Sequence, residues 1–144
     1  MNTPRWLLRI VWLEDRALSR LTGGRMALPN RSGGAIRTLF LRTIGRTTGR
    51  PRRTGLYYVD DGPNLAVVAS NAGEEMEPGW WRNLQAHPDA EVELGRDVRA
   101  IHARRANPEE GARIYDRFEA SLPQYARYRH QTTRKIPVVI LEPR

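Results

Sequence analysis

The residues best suited to chemistry lie between two strand-like runs, in Thr43-Ile-Gly-Arg-Thr-Thr-Gly-Arg-Pro-Arg-Arg53. Two glycines let the backbone turn there and approach a ligand closely. Thr47 and Thr48 offer hydroxyl donors, while Arg46, Arg50, Arg52 and Arg53 supply charge. Turn N–H groups, hydroxyls and guanidinium forks together make a phosphate cradle; a solvated basic hairpin is the other reading of the same residues. The segment is not a P-loop, because the Gly-Lys-Ser/Thr ending and the following helix are both missing. Two further stretches could wall a flat ligand: Ala69-Ser70-Asn71-Ala72-Gly73, a strand end opening into a small loop, and Gly79-Trp80-Trp81-Arg82-Asn83. The tryptophans either line a ring site or form the core face of a helix, and for at least one of them the core is the better reading. Tyr125 and Tyr128 stand three apart, so one helix face can carry both. Such tyrosines stack on a ring and donate a proton or hydrogen bond, or pack as ordinary aromatics.

Other chemistries find little support. The chain has no cysteine, which removes disulfides, zinc–thiolate sites, iron–sulfur clusters and thiol nucleophiles and is compatible with a reducing cytoplasm. His87, His102 and His130 are scattered without metal-ligand spacing. No Gly-x-Ser-x-Gly elbow is present, and no carboxylate pair stands out. An anion cradle beside a ring-sized site, without a reactive side-chain set, fits chemistry carried by a cofactor.

The elements that must position these residues follow from periodicity and turn residues. Ile36 to Thr43 alternates apolar and polar residues, and Thr54 to Val59 follows across the basic turn. Asp60-Asp61-Gly62 predicts a tight hairpin into Leu65 to Ser70, an apolar run suited to a buried strand. A short helix begins near Pro78 and ends near His87-Pro88. Glu91 to Leu94 and Val98 to Ala103 form a second hairpin. Asn107-Pro108-Glu109-Glu110 is a helix start, with a capping residue, a first-turn proline and acids at the positive end of the dipole. Residues 108–121 are predicted helical, a shorter helix follows Pro123, and Ile136 to Glu142 returns as a strand. Runs of strands with few helices predict an α+β, mainly β, small barrel with helices against its open parts.

The chain is 144 residues long, enough for one domain with a sizeable core. Its formal net charge is +8, with one lysine, Lys135, among 24 basic residues, so acidic partners are expected. Nucleic acid is the weaker choice among them, because clustered base-stacking aromatics are not evident. Residues 1–34 are expected to form an amphipathic helix over 4–21 and a polar connection, ahead of a barrel domain over 35–144. Arg5, Arg9, Arg16 and Arg20 share one face of that helix, and Leu7, Ile10, Val11, Leu18 and Leu21 the other. The pattern suits a helix on a membrane surface or one packed on the protein body or a second subunit. Glu14 in the apolar face favours packing. No apolar run reaches the roughly 18 residues of a membrane span, so a cytoplasmic protein, peripheral to the membrane at most, is expected.

Five stretches in register carry a family likeness: residues 43–52, Val68-Ala-Ser-Asn-Ala-Gly73, Pro78-Gly-Trp-Trp-Arg-Asn-Leu84 with His87-Pro88, Leu122-Pro-Gln-Tyr-Ala-Arg-Tyr128, and Ile136-Pro-Val-Val-Ile-Leu-Glu-Pro143. With them the chain resembles the actinobacterial deazaflavin-dependent nitroreductase family, whose members bind coenzyme F420 on a split, FMN-binding-like β-barrel. The resemblance implies an oxidoreductase moving hydride from reduced deazaflavin to a menaquinone-like or nitroaromatic acceptor; a non-catalytic carrier of F420, or of FMN, is the alternative. It implies that Arg46, Thr47, Thr48 and Arg52 hold the cofactor's phosphate and the start of its glutamate tail. Val68, Ala69, Ser70 and Asn71 would lie against the ring, and Gly79, Trp80, Trp81, Arg82 and Asn83 would close around it. Tyr125 would sit near the ring, and Ser70, Tyr125 and Tyr128 would serve substrate orientation or protonation. A homodimer is also compatible with barrels of this kind. The chain departs from the family pattern at Thr47, often lysine, at Asn71, often lysine or glycine, and at Leu122, where an extra tyrosine accompanies nitroimidazole reduction.

Overall fold

The structure, a computed structural model, describes residues 36–144. The helix expected over 4–21 and its connection lie outside the described residues. The described chain runs β1 (Arg37–Ile44), β2 (Pro51–Asp61), β3 (Asn64–Val68), a single 3-10 turn (Asn71–Gly73), α1 (Gly79–Ala86), β4 (Asp89–Leu94), β5 (Asp97–Arg105), α2 (Pro108–Ser121), α3 (Gln124–Gln131) and β6 (Val138–Pro143). Order and type agree with the sequence reading, while several ends move. β2 starts at Pro51 rather than Thr54, so Arg52 and Arg53 are strand residues paired with Thr43 and Arg42. Proline is tolerated at a strand's first position, where its missing N–H costs the ladder least.

Six antiparallel strands close a barrel in the order β1-β2-β3-β6-β5-β4, and β4 returns to β1 through Phe40–Glu93, Leu41–Val92 and Arg42–Glu91. Gly62 and Gly95, both with positive φ, turn the β2–β3 and β4–β5 hairpins. Asn107 caps α2 as expected: its side chain accepts from the Glu110 N–H at 2.9 Å, and the Glu110 carboxylate accepts from the Asn107 N–H at 3.0 Å. This reciprocal pair satisfies two donors that the helix itself leaves open.

Two apolar cores share the same strands. Leu39, Leu41, Leu65, Val67, Val92, Ile101, Val139 and Leu141 fill the barrel, whose end is plugged by Trp80, Trp81 and Leu84 of α1. Ala66, Val68, Val138 and Ile140 point outward and pack under Ile114, Tyr115 and Phe118 of α2 and Tyr125 of α3. Side chains alternate across a strand, so β3 and β6 are buried on both faces. That is why their sequences are continuously apolar while β5 alternates.

One seam of the barrel is left open. β2 spans 11 residues, yet it meets β3 only through Val59–Ala66, Asp60–Leu65 and Asp61–Asn64. The same register carried on would oppose Tyr57 to Val68, Gly55 to Ser70 and Arg53 to Ala72. Instead the chain parts from β2 after Ala66. The Ala69 N–H donates to Pro137 O at 2.9 Å, and positive φ at Asn71, Ala72 and Gly73 swings the backbone outward. The first half of β2 is thus paired with β1 alone, and its other edge faces a cleft.

Candidate functional site

That cleft is a cavity of about 640 Å³. Its walls are the 45–48 turn and residues 52–57 of β2 on one side, and Val68 and Ser70 to Ala72 on the other. Pro78, Gly79, Trp80 and Asn83, the last three in α1, and Gln124, Tyr125 and Tyr128 of α3 complete it. The volume falls within the range of sites for drug-sized ligands and cofactors.

One end is cationic. The turn closes through Gly45 N–H to Arg50 O and Gly49 N–H to Gly45 O, each 2.8 Å. A Cβ at Gly45 would lie 2.5 Å from Thr48 Oγ1, so a larger residue there displaces the Thr48 side chain. Asn83, buried in α1, accepts from both the backbone N–H and the guanidinium of Arg46 at 3.1 Å, and donates to Thr43 Oγ1 at 3.2 Å. A helix residue thereby ties the turn to the barrel and orients Arg46 without neutralising it. Arg46, Thr47, Thr48 and Arg52 border the cavity, and among the described residues no carboxylate pairs with the three arginines Arg46, Arg50 and Arg52. Arg53 is different: Glu93 accepts from its Nε at 2.9 Å, and its guanidinium lies over the Phe40 ring at 3.5 Å. Glu93 also accepts from Arg42 at 2.8 Å. The Arg53 charge is therefore compensated, although the sequence reading counted it in the cradle.

The other end is phenolic. The Tyr125 and Tyr128 rings meet edge-on with centroids 5.1 Å apart, and both border the cavity with Tyr57 and Ser70. Tyr125 is 7% exposed. Burial chiefly pushes its hydroxyl pKa upward, with the neighbouring Tyr128 and Tyr57 hydroxyls adding to the effect and a hydrogen bond with Ser70 opposing it. Tyr125 is therefore a neutral phenol throughout the physiological range, able to donate its proton. Its ring packs on Phe118 at 5.1 Å, and its main-chain carbonyl accepts from Tyr115 Oη at 2.6 Å. Between the ends, Asn71 and Ala72 hold φ of 45° and 53° without being glycine, a strain on the order of 1 kcal/mol each.

Most of the residues singled out from the sequence border this one cavity, although they come from four separate stretches of the chain. Four do not line it, among them Arg50, exposed on the basic turn. Ala69 is wholly buried in the barrel core, Trp81 is 4% exposed in the same core, and Arg82 is an exposed residue of α1. Trp80 both joins the core and borders the cavity, so the two adjacent tryptophans divide between a wall and the interior. Tyr57, Gln124 and the β2 edge at 54–56 were missed. The Tyr57-Tyr58 pair held a signal: neighbours in a strand face opposite ways, and Tyr58 is buried in the barrel.

A barrel split along one seam over a cation-edged, phenol-lined cavity defines the class as split-barrel oxidoreductases of the flavin and deazaflavin type. The model of the F420H(2)-dependent quinone reductase family matches residues 15–143, and the chain belongs to that family. It is 36% identical over 148 residues to an F420H(2)-dependent quinone reductase of Mycobacterium tuberculosis, with 98% of each chain covered. The solved structure of an F420-H2 dependent reductase superposes with a TM-score of 0.66 at 32% identity, covering 73% of this chain and 93% of that one. A second, described as a domain-swapped dimer, gives 0.66 at 28% identity over 93% of this chain and 99% of that one. The family's description names a quinone, one of the two acceptor classes expected from the sequence.

Proposed function

We propose that the chain is an F420H2-dependent oxidoreductase that reduces a quinone, with its cofactor in the seam cavity. The observation that carries this reading is the cavity's polarity: Arg46 and Arg52, which no described carboxylate compensates, at one end, and neutral phenols at the other. The donor set fits the group. Guanidinium forks and threonine hydroxyls match phosphate and carboxylate oxygens, and Gly45 keeps the turn compact beside them. When bound, the reduced deazaflavin supplies both electrons at once as hydride.

The protein's part is position and protons. Arg46, Thr47, Thr48 and Arg52 hold the phosphate and the start of the acidic tail, with Asn83 orienting Arg46. Val68, Ser70, Asn71, Gly79 and Trp80 wall the ring. A quinone that accepts hydride must also gain a proton to become quinol. Tyr125 and Tyr128 supply or relay it, and Ser70 orients the Tyr125 hydroxyl. Holding both reactants in one cleft replaces a bimolecular encounter with a pre-oriented one.

Mixing the protein separately with F420 and FMN while following fluorescence identifies the cofactor. Oxidation of reduced F420 by a menaquinone analogue and by a nitroaromatic compound then identifies the acceptor. Turnover with the quinone supports the proposal; binding without turnover would make the protein a carrier, and preference for FMN would reassign the cofactor. A quinone resides in membrane, so the basic face of residues 4–21 touching lipid belongs to the same reading. Deletion of residues 1–21 should then abolish binding to anionic vesicles. Pairing of two copies is likewise proposed, and sedimentation reads it directly.

A further inference from the structure

We propose that Arg134, which does not border the cavity, is the positioning residue for the strained Ser70–Gly73 turn; the functional part of this inference rests on the reading above. Its guanidinium reaches back from the α3–β6 connection to three main-chain carbonyls. Nε donates to Glu74 O at 3.0 Å, and one terminal nitrogen donates to Ala69 O at 3.2 Å and Ser70 O at 3.0 Å. Among the described residues the other terminal nitrogen is buried without a partner. None of these three acceptors is charged, and the guanidinium also attracts the neighbouring Glu75 carboxylate.

The fork matches a specific need. Beyond Ala66 the chain has no β2 partner, and Asn71 and Ala72 adopt left-handed φ. Such a conformation persists where surrounding contacts over-determine it. Three ties do so here. Arg134 gathers the carbonyls on either side of the strained pair. Glu75 accepts from the Thr133 N–H at 2.7 Å and the Thr133 hydroxyl at 2.9 Å. Gly73 lets the turn sit against α3, where a Cβ would fall 2.9 Å from Gln131 Oε1 and 3.2 Å from Tyr128 Cα. Residues 131–134 therefore act as a template for the turn, and Arg134 is the member that touches Ser70. Because Ser70 meets the Tyr125 hydroxyl, a shift of the turn separates the hydroxyls without removing either. Lysine keeps the charge at 134 but cannot span three carbonyls with one ammonium.

Arg134→Lys tests this, first on the protein without cofactor. Amide exchange at Gly73 and Glu74, which donate to Ser70 O at 2.9 Å and Asn71 O at 3.0 Å, should quicken at least about tenfold, while β3 and β6 amides keep their protection. With reduced F420 and a menaquinone analogue, kcat should fall by about 10- to 100-fold while KM for the coenzyme stays within about threefold. Unchanged exchange at Gly73 and Glu74 would overturn the clamp, and so would exchange that quickens throughout β3 and β6, since that marks a merely structural role. Unchanged kcat in a variant with a loosened turn would remove the link to catalysis. If the wild-type protein itself fails to oxidise reduced F420, the functional reading falls while the exchange result still decides the clamp.

Discussion

Charge compensation separates arginines that look alike in the sequence. Arg52 and Arg53 are neighbours in β2, yet Arg53 meets Glu93 and the Phe40 ring while no described carboxylate pairs with Arg52. Arg52→Ala should therefore weaken F420 binding by about 1.5–3 kcal/mol, the worth of a charge-assisted hydrogen bond. A fluorescence titration measures it, and an unchanged dissociation constant would count against the cradle. At the opposite end, burial holds Tyr125 protonated. Tyr125→Phe should lower turnover on the order of 100-fold, as loss of a general acid does, with coenzyme affinity nearly intact. Equal losses in affinity and rate would instead mark Tyr125 as a binding residue.

At the scale of elements, α2 holds the outer core in place and its first turn is sensitive to acid. The Arg104 guanidinium, and after it the Asn107 N–H, lower the Glu110 carboxyl to about 2 from its ordinary 4.5. A depressed folded-state value means the contribution is complete above pH 4.5 and is lost as pH falls toward 2. Wild-type protein should thus lose melting temperature over that window, and Glu110→Gln, already without the charge, should lose less. Parallel melting curves for the two proteins from pH 6 to pH 2 would show the pair to be inconsequential. Glu75 follows the same sign, since the Thr133 N–H and hydroxyl depress its carboxyl, so the turn beside Ser70 shares this acid sensitivity.

For the whole molecule, the sharing of β3 and β6 between two cores joins stability to the site. Phe118 is fully buried in the outer core with its ring on Tyr125. Phe118→Ala should cost about 3–5 kcal/mol, combining lost transfer energy with the cavity left behind. It should also loosen α3 and lower turnover below what dilution of the folded state explains. Denaturant midpoints alongside kcat at a fully folded temperature separate the two effects. Among the described residues no helix is long and apolar enough to cross a membrane.

Local chemistry was legible in the linear chain because its causes lie a few residues apart. Glycines at the hairpins, Asn107 ahead of Pro108, and unbroken apolar runs in β3 and β6 each name their structure through backbone sterics or burial on two faces. The threonines and arginines of the basic turn pointed to an anion site for the same reason, and the structure places Arg46, Thr47, Thr48 and Arg52 on one cavity wall. Long-range pairing had to decide the rest. Whether Arg53 is compensated depends on Glu93, 40 positions away, and Arg134 finds Ser70 across 64. The seam exists because the β2–β3 ladder stops after three pairs, a competition between ladder bonds and the pull of Pro137 and Arg134 on the departing chain. No local propensity encodes that balance, and it opens the cavity that the site residues share.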